Sequence, residues 1–274
     1  MAIREFKNIT HAISKKKIHF ILPGGGVNGC FQAGFIYRLL KDCSQHIEIS
    51  RIDGISVGAL NGIGILLENP EFLRNIWYSI EHRNHIFDSH PTNRVAWEKG
   101  SLYDSNGLKE IIQIYKDFVN LDDLKKYHCV VHNSNTNDCE YINGGHVNIW
   151  DYVVASASPP VISPYSKIND CYYTDGGVDL VYPIDYIEYN SDIRLVIGYY
   201  EEKRYYLFKL YKKIKKSIGD NMRKARELVS GKKLTTIMNP CRFNIIDFRR
   251  ETIDKGFKMG EEAAIKFYLE HIIV

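Results

Sequence analysis

The sequence predicts an α/β fold, a single domain with a central, mostly parallel sheet flanked by helices, and three observations predict it. Ile18 to Leu22 is an apolar run closed by Pro23 and three glycines, after which Val27 to Leu40 places Phe31, Phe35 and Leu39 at helical spacing. A second strand-turn-helix unit follows at once, with Arg51 to Ile55 as a strand end, a turn at Gly54 to Gly58, and an apolar helix from Ala59 to Leu67. No internal repeat, low-complexity tract or linker interrupts the 274 residues. Consecutive βα units call for a parallel sheet with helices on its faces.

The remaining elements follow in order. Glu71 to Ile80 reads as a helix. The polar surroundings from Pro70 to Gly107, with His82, His85 and His90, read as an irregular, mobile cap. Leu108 to Tyr115 is a further helix. Cys129 to His132 and Cys139 to Ile142 are strands joined by the Asn133–Asp138 turn, a hairpin. Ile149 to Ala157 is a helix stopped by Pro159-Pro160, and Cys171 to Thr174 is a strand ending at Asp175-Gly176-Gly177. Arg194 to Tyr199 is a strongly apolar strand. A basic helix at about 205–229, a strand from Cys241 to Phe248 and a helix at about 251–271 complete the chain.

Composition excludes several classes. A hydrophobic fraction of 45% suits an ordinary core, and a net charge of +3 does not indicate a nucleic-acid binder. The six cysteines form no CxxC pair, which argues for reduced thiols over a zinc knuckle or a redox motif. Met1 to Lys17 is polar and basic and lacks the apolar run of a secretory signal, and no segment reaches about 18 uninterrupted apolar residues. A cytoplasmic protein, peripheral at membranes, is expected. Lys203 to Lys233 holds 12 Lys/Arg against Asp220 and Glu227, a local +10 that leaves −7 for everything else. Leu207, Tyr211, Ile214, Ile218, Met222 and Ala225 give that segment one apolar helical face. It reads as a surface helix packed on the sheet or as a docking face for anionic membrane.

The chemistry-bearing residues lie in three loops. Gly54-x-Ser56-x-Gly58 sets a serine on a sharp strand-to-helix turn, with the helix N-terminus aimed at it. Gly24, Gly25, Gly26 and Gly29 end the neighbouring strand. Backbone N–H groups there can converge on an oxyanion, although the same letters satisfy GxGxxG, a dinucleotide-binding turn with Glu48 or Asp53 as ribose ligand. A nucleophilic serine needs a base, and the histidines suit that role poorly: after Asp175 only His271 remains, four residues from the end. Asp175, followed by Gly176 and Gly177, offers a carboxylate at a strand end instead. It can act as the base directly in a partly desolvated site. His128 and His132 are four apart, but Cys129 stands where HExxH needs glutamate and the segment reads as a strand. The histidines of the polar cap need no metal to explain them, so no metal or cofactor is assigned.

These three loops, in this order, resemble the patatin-like phospholipase family, whose defining motifs are a glycine-rich oxyanion loop, GxSxG and DG[GA]. The likeness extends to Gly29-Cys30-Phe31-Gln32-Ala33-Gly34, to Gly100-Ser101-Leu102-Tyr103-Asp104 with Leu108, to Ala155-Ser156-Ala157-Ser158-Pro159 and to Pro183. It covers about residues 17–185, and 186–274 is only generally similar. The resemblance implies a three-layer sandwich, a serine–aspartate dyad of Ser56 and Asp175, an oxyanion hole from the backbone of Gly24 to Gly26, and metal-independent hydrolysis of phospholipid or other lipid esters. One position departs: Asn28 stands where the family usually carries Arg or Lys. Three alternatives stay open: an α/β-hydrolase esterase with a histidine-containing triad, a nucleotide-dependent oxidoreductase, and a non-catalytic membrane-binding scaffold.

Overall fold

The computed structural model describes residues 14–80, 85–89, 100–180, 182–184, 190–199, 234–241 and 243–273. The first two units form as expected. β1 (Lys16–Leu22) leads through a 3₁₀ turn at Gly26–Asn28 into α1 (Gly29–Cys43), and β2 (Ile47–Ile55) leads directly into α2 (Val57–Leu66). α3 (Pro70–Ser79) starts where the Asn69 side chain accepts the Phe72 N–H at 3.2 Å, with Pro70 in the first turn, where its missing N–H costs nothing. A two-residue ribbon of β3 (Asp88–Ser89) and β4 (Tyr103–Asp104) precedes α4 (Asn106–Phe118). Next come β5 (Tyr127–Asn133), β6 (Asp138–Asn143), α5 (Ile149–Ser156), β7 (Ser166–Ile168) and β8 (Cys171–Asp175). β9 (Ile193–Tyr199), β10 (Leu234–Asn239) and α6 (Arg250–His271) close the described chain.

The main sheet runs β10-β9-β1-β2-β5-β8-β7, with β6 paired to β5. The five strands from β10 to β5 are parallel, while β6, β8 and β7 join antiparallel. Phe20, Ile21 and Leu22 of β1 are buried, as befits a central parallel strand covered on both faces. α1 and α6 pack against each other through Phe35 on Phe267 and Tyr37 on Phe257, with ring centroids 5.5 and 5.4 Å apart. The C-terminal helix is thereby part of the same core as the first βα unit.

β5 decides where the site falls. β6 pairs with it from His128 through Asn133, which occupies one edge of the strand. The other edge is divided: β2 pairs with Tyr127 to Val130, and β8 pairs with Val131 to Asn133. Because β8 runs opposite to β2, the two meet with their C-terminal ends together, Ile55 opposite Val130 and Asp175 opposite Val131. The residue after Ile55 is Ser56.

Several expectations need correction. Cys241 to Phe248 is not a strand; the strand lies earlier, at Leu234–Asn239, where Thr235, Thr236 and Ile237 favour extended backbone. Pro240 offers no N–H to a ladder, and the Asn239 side chain instead accepts the Cys241 N–H at 3.0 Å. Asn244 turns the chain again by accepting from Asp247 N through its carbonyl. β7 was not anticipated, because three residues carry too little periodicity. The basic helix expected at about 205–229 lies outside the described residues, as do His82 and His90 of the expected cap. No helix among the described residues is long and apolar enough to cross a membrane.

Candidate active site

Ser56 sits between β2 and α2 with φ 57° and ψ −128°, a strained conformation for a residue with a side chain. The surroundings hold it there. Its N–H donates to Ser156 Oγ at 3.0 Å, and Ser156 Oγ–H in turn donates to the Val130 carbonyl at 2.7 Å. Its carbonyl accepts from Ala59 N at 2.9 Å, the first bond of α2. The close pass of α2 over β1 demands glycine at position 58, since a Cβ there would stand 2.1 Å from the Leu22 carbonyl oxygen.

Asp175 is buried, the Ser56 hydroxyl stands near enough to stabilise its charged form, and its carboxylate accepts the Gly177 N–H at 2.8 Å. Burial pushes its pKa up to about 6, although the neighbouring Ser56 hydroxyl and the Gly177 N–H pull it back down. The Asp175 N–H is tied to the Ser158 carbonyl at 3.1 Å, so the serine-rich stretch before Pro159 braces both partners, Ser156 on one side and Ser158 on the other. Sequence alone marked that stretch as part of a likeness without saying what it does.

The glycine loop lies against this pair. Gly25 and Gly26 have φ 151° and 57°, and a Cβ on Gly26 would stand 2.1 Å from the Ile245 carbonyl oxygen. That same carbonyl accepts the Val27 N–H at 3.0 Å. A Cβ on Gly24 would stand 2.9 Å from Ser56 Cβ, which shows how closely the two loops abut. Among the described residues, the amides of Gly25 and Gly26 donate to no protein acceptor.

Asn28 accounts for its own departure from the family pattern. It is buried, and its amide donates to the Gly25 carbonyl at 3.0 Å and the Phe243 carbonyl at 3.2 Å while accepting from Phe243 N at 3.0 Å. It ties the glycine loop to the segment after β10. Behind it runs a chain of buried amides that sequence reasoning missed. Trp77 Nε1–H donates to Asn61 Oδ1 at 2.9 Å, Asn61 Nδ2 donates to Gln32 Oε1 at 3.0 Å and to the Gly29 carbonyl, and Gln32 Nε2 donates to the Pro23 carbonyl at 2.8 Å. Polar residues on otherwise apolar helical faces, Gln32 and Asn61, were the available signal.

An apolar cavity opens beside Ser56, with about 760 Å³ of atom-free space counting its open mouth. Leu60, Ile76, Trp77, Leu108, Tyr115 and Phe248 line it, with Ile245 and Ile246 from the segment after β10.

The rival residues are placed elsewhere. His271 ends α6, and Tyr268, one turn earlier, hydrogen-bonds His46 at 2.8 Å just before β2 begins. Ser56 stands just beyond the far end of that strand, about 33 Å from His46 at roughly 3.3 Å per residue. Asp53 is buried and paired with Arg51 at 2.6 Å and His19 at 2.7 Å, while Glu48 lies at the opposite end of β2 from the glycine loop. His128 and His132 are both on β5, with different neighbours, Asp53 and Asp179. His85 Nδ1 lies 3.2 Å from the Ser79 carbonyl.

The strained serine and the buried aspartate stand at the meeting ends of two strands of a mostly parallel α/β sheet. The model of the patatin-like phospholipase family matches residues 20–187, and the chain belongs to this family of lipid acyl hydrolases. Its fold is similar to that of VipD from Legionella pneumophila, with a TM-score of 0.51 at 11% identity over 99% of this chain and 73% of that one. No curated protein matches.

Proposed function

We propose that the protein cleaves fatty-acyl esters of phospholipids or lysophospholipids through an acyl-enzyme on Ser56. The observation that carries the reading is a buried carboxylate, Asp175, facing the Ser56 hydroxyl beside an apolar cavity. Asp175 accepts the serine proton as Oγ attacks the ester carbonyl. Its raised pKa brings it nearer to neutrality than an exposed aspartate, which makes it a better base at the same ionisation. Negative charge on the carbonyl oxygen is met by the amides of Gly24 to Gly26 and by the N-terminus of α2. The proton then passes to the leaving alcohol, the acyl chain rests in the cavity, and water attacks the acyl-enzyme with Asp175 again taking a proton. This cycle assigns no step to a metal.

The glycine loop serves anion stabilisation in this reading, and with His271 remote and Asp53 paired, no observation favours the triad or oxidoreductase alternatives. Peripheral contact of a cytoplasmic protein with anionic membrane through residues 203–233 accompanies the reading and rests on charge alone. The test is labelling with a fluorophosphonate serine probe. Wild-type protein is expected to label stoichiometrically and Ser56→Ala to remain unlabelled, with equal labelling of both overturning the assignment.

A further inference from the structure

Outside this site, three metal-ligating side chains from three separate segments converge behind the Asp175 turn. His132 comes from β5, Cys139 stands directly opposite it on β6, and Asp179 follows the single 3₁₀ turn Gly176–Val178. Their ligand atoms all lie within 4.8 Å of one another. His132 Nδ1 and Asp179 Oδ2 are 2.5 Å apart, Cys139 Sγ lies 3.9 Å from that oxygen, and Sγ lies 3.6 Å from the Gly176 carbonyl oxygen. His132 is buried, while Cys139 and Asp179 are half-buried, which leaves the cluster reachable from solvent.

We propose that His132, Cys139 and Asp179 form a binding site for one zinc-type divalent cation. The donor set selects the metal. A thiolate and an imidazole suit a borderline-soft ion and disfavour calcium or magnesium, which take oxygen ligands. Bonds of about 2.0–2.3 Å to a tetrahedral ion put ligand atoms roughly 3.3–3.7 Å apart. The sulfur–carboxylate distance is already close to that, and the imidazole–carboxylate contact must open by about 1 Å as the cation takes the place between them, with the imidazole carrying its one proton on Nε2 and any further proton passing to solvent. A water molecule or the Gly176 carbonyl completes the fourth position.

On binding, the Cys139 thiol loses its proton to solvent and its sulfur lone pair forms the metal bond. Burial and the neighbouring aspartates hold that thiol protonated until a cation arrives. Because Gly176 and Asp179 belong to the turn that follows Asp175, the ion would clamp this turn to the β5–β6 hairpin. Linear spacing could not reveal it, since its contacts are cross-strand and through a turn some 40 residues downstream.

The test uses the full chain stripped of metal with a chelator. Zinc titrated against a chromophoric competitor should bind at one equivalent per chain and raise the thermal midpoint, and cobalt should give a thiolate-to-metal charge-transfer band. Cys139→Ser should abolish that band, His132→Ala should weaken zinc binding by at least the roughly 100-fold that loss of an outer-shell partner can cost, and Cys241→Ser and Ser56→Ala should leave both unchanged. Far-UV circular dichroism confirms that each variant is folded. Absence of a stoichiometric site, or a folded Cys139→Ser variant that binds zinc and gives the cobalt band as wild type does, overturns the proposal.

Discussion

The two βα turns at the start of the chain occupy equivalent places on adjacent strands, yet they solve different problems. The turn after β1 presents backbone: glycines at φ 151° and 57° leave amide groups uncovered, and a buried asparagine and a row of buried amides hold the loop still. The turn after β2 presents a side chain. Ser56 accepts the strain of φ 57° that a glycine would avoid, because a glycine has no hydroxyl to offer. One turn is neutral and rigidly pinned, whereas the other faces the buried ionisable group Asp175. On the proposed reading, the difference separates a donor scaffold, which must not move, from an acid–base pair, which must change charge.

The comparison breaks most sharply at the side-chain turn. Ser56→Ala and Asp175→Asn are expected to lower lipid-ester hydrolysis by about 10⁴-fold or more and about 10³- to 10⁴-fold respectively, read as kcat/KM on dispersed phospholipid. Both should keep the wild-type circular dichroism spectrum. An active Asp175→Asn variant would dissolve the dyad.

At the backbone turn the largest effect belongs to Gly26→Ala. A Cβ must push against the Ile245 carbonyl at a φ that side chains disfavour, so a loss of roughly 1–3 kcal/mol in unfolding free energy is expected. A fall of about 10²-fold in kcat with a smaller change in KM should accompany it, as the donors are displaced. Loss of stability with unchanged kcat would separate the loop from the chemistry.

The two turns also differ in their response to pH. Asp175 must be ionised to accept a proton, so kcat/KM should rise with pH through a midpoint near 6 and then level off, governed by this one group. Stability runs the other way. A carboxylate whose folded pKa is raised above its unfolded value binds its proton more tightly in the fold. The contribution of this one group to stability is therefore fullest below about pH 4 and is lost as pH rises through about 6, by about 3 kcal/mol once it is ionised in both states. Relative to wild type, Asp175→Asn should accordingly gain stability at pH 8 and not at pH 4, measured by urea unfolding.

The smallest effects on rate are expected at Asn28. Asn28→Ala removes three hydrogen bonds at a buried position and should cost roughly 1–3 kcal/mol, with a modest loss of rate as the glycine loop loosens. Asn28→Lys, which restores the charge usual in the family, should destabilise as much or more, because the position is enclosed. Improved activity in that variant would show that the loop prefers a cation to a tether.

The two βα turns, the parallel sheet, the DGG strand end and the family were legible in the sequence because each rests on local rules: apolar period, glycine punctuation and motif order. The C-terminal region was less legible. Cys241 to Phe248 looks like a strand by composition, but the turns set by Asn239, Pro240 and Asn244 override that preference, and the segment spends its Ile245 carbonyl on the glycine loop instead.

Only the tertiary structure decided that Ser56 and Asp175 meet. Residues 119 positions apart come together because β2 and β8, running in opposite directions, share one edge of β5 and end on adjacent residues of it, a matter of register that no local pattern encodes. Burial, and with it the raised Asp175 pKa, likewise arises only when these strands and the serine-rich stretch close around the carboxylate. Local chemistry named the groups, and long-range pairing gave them each other.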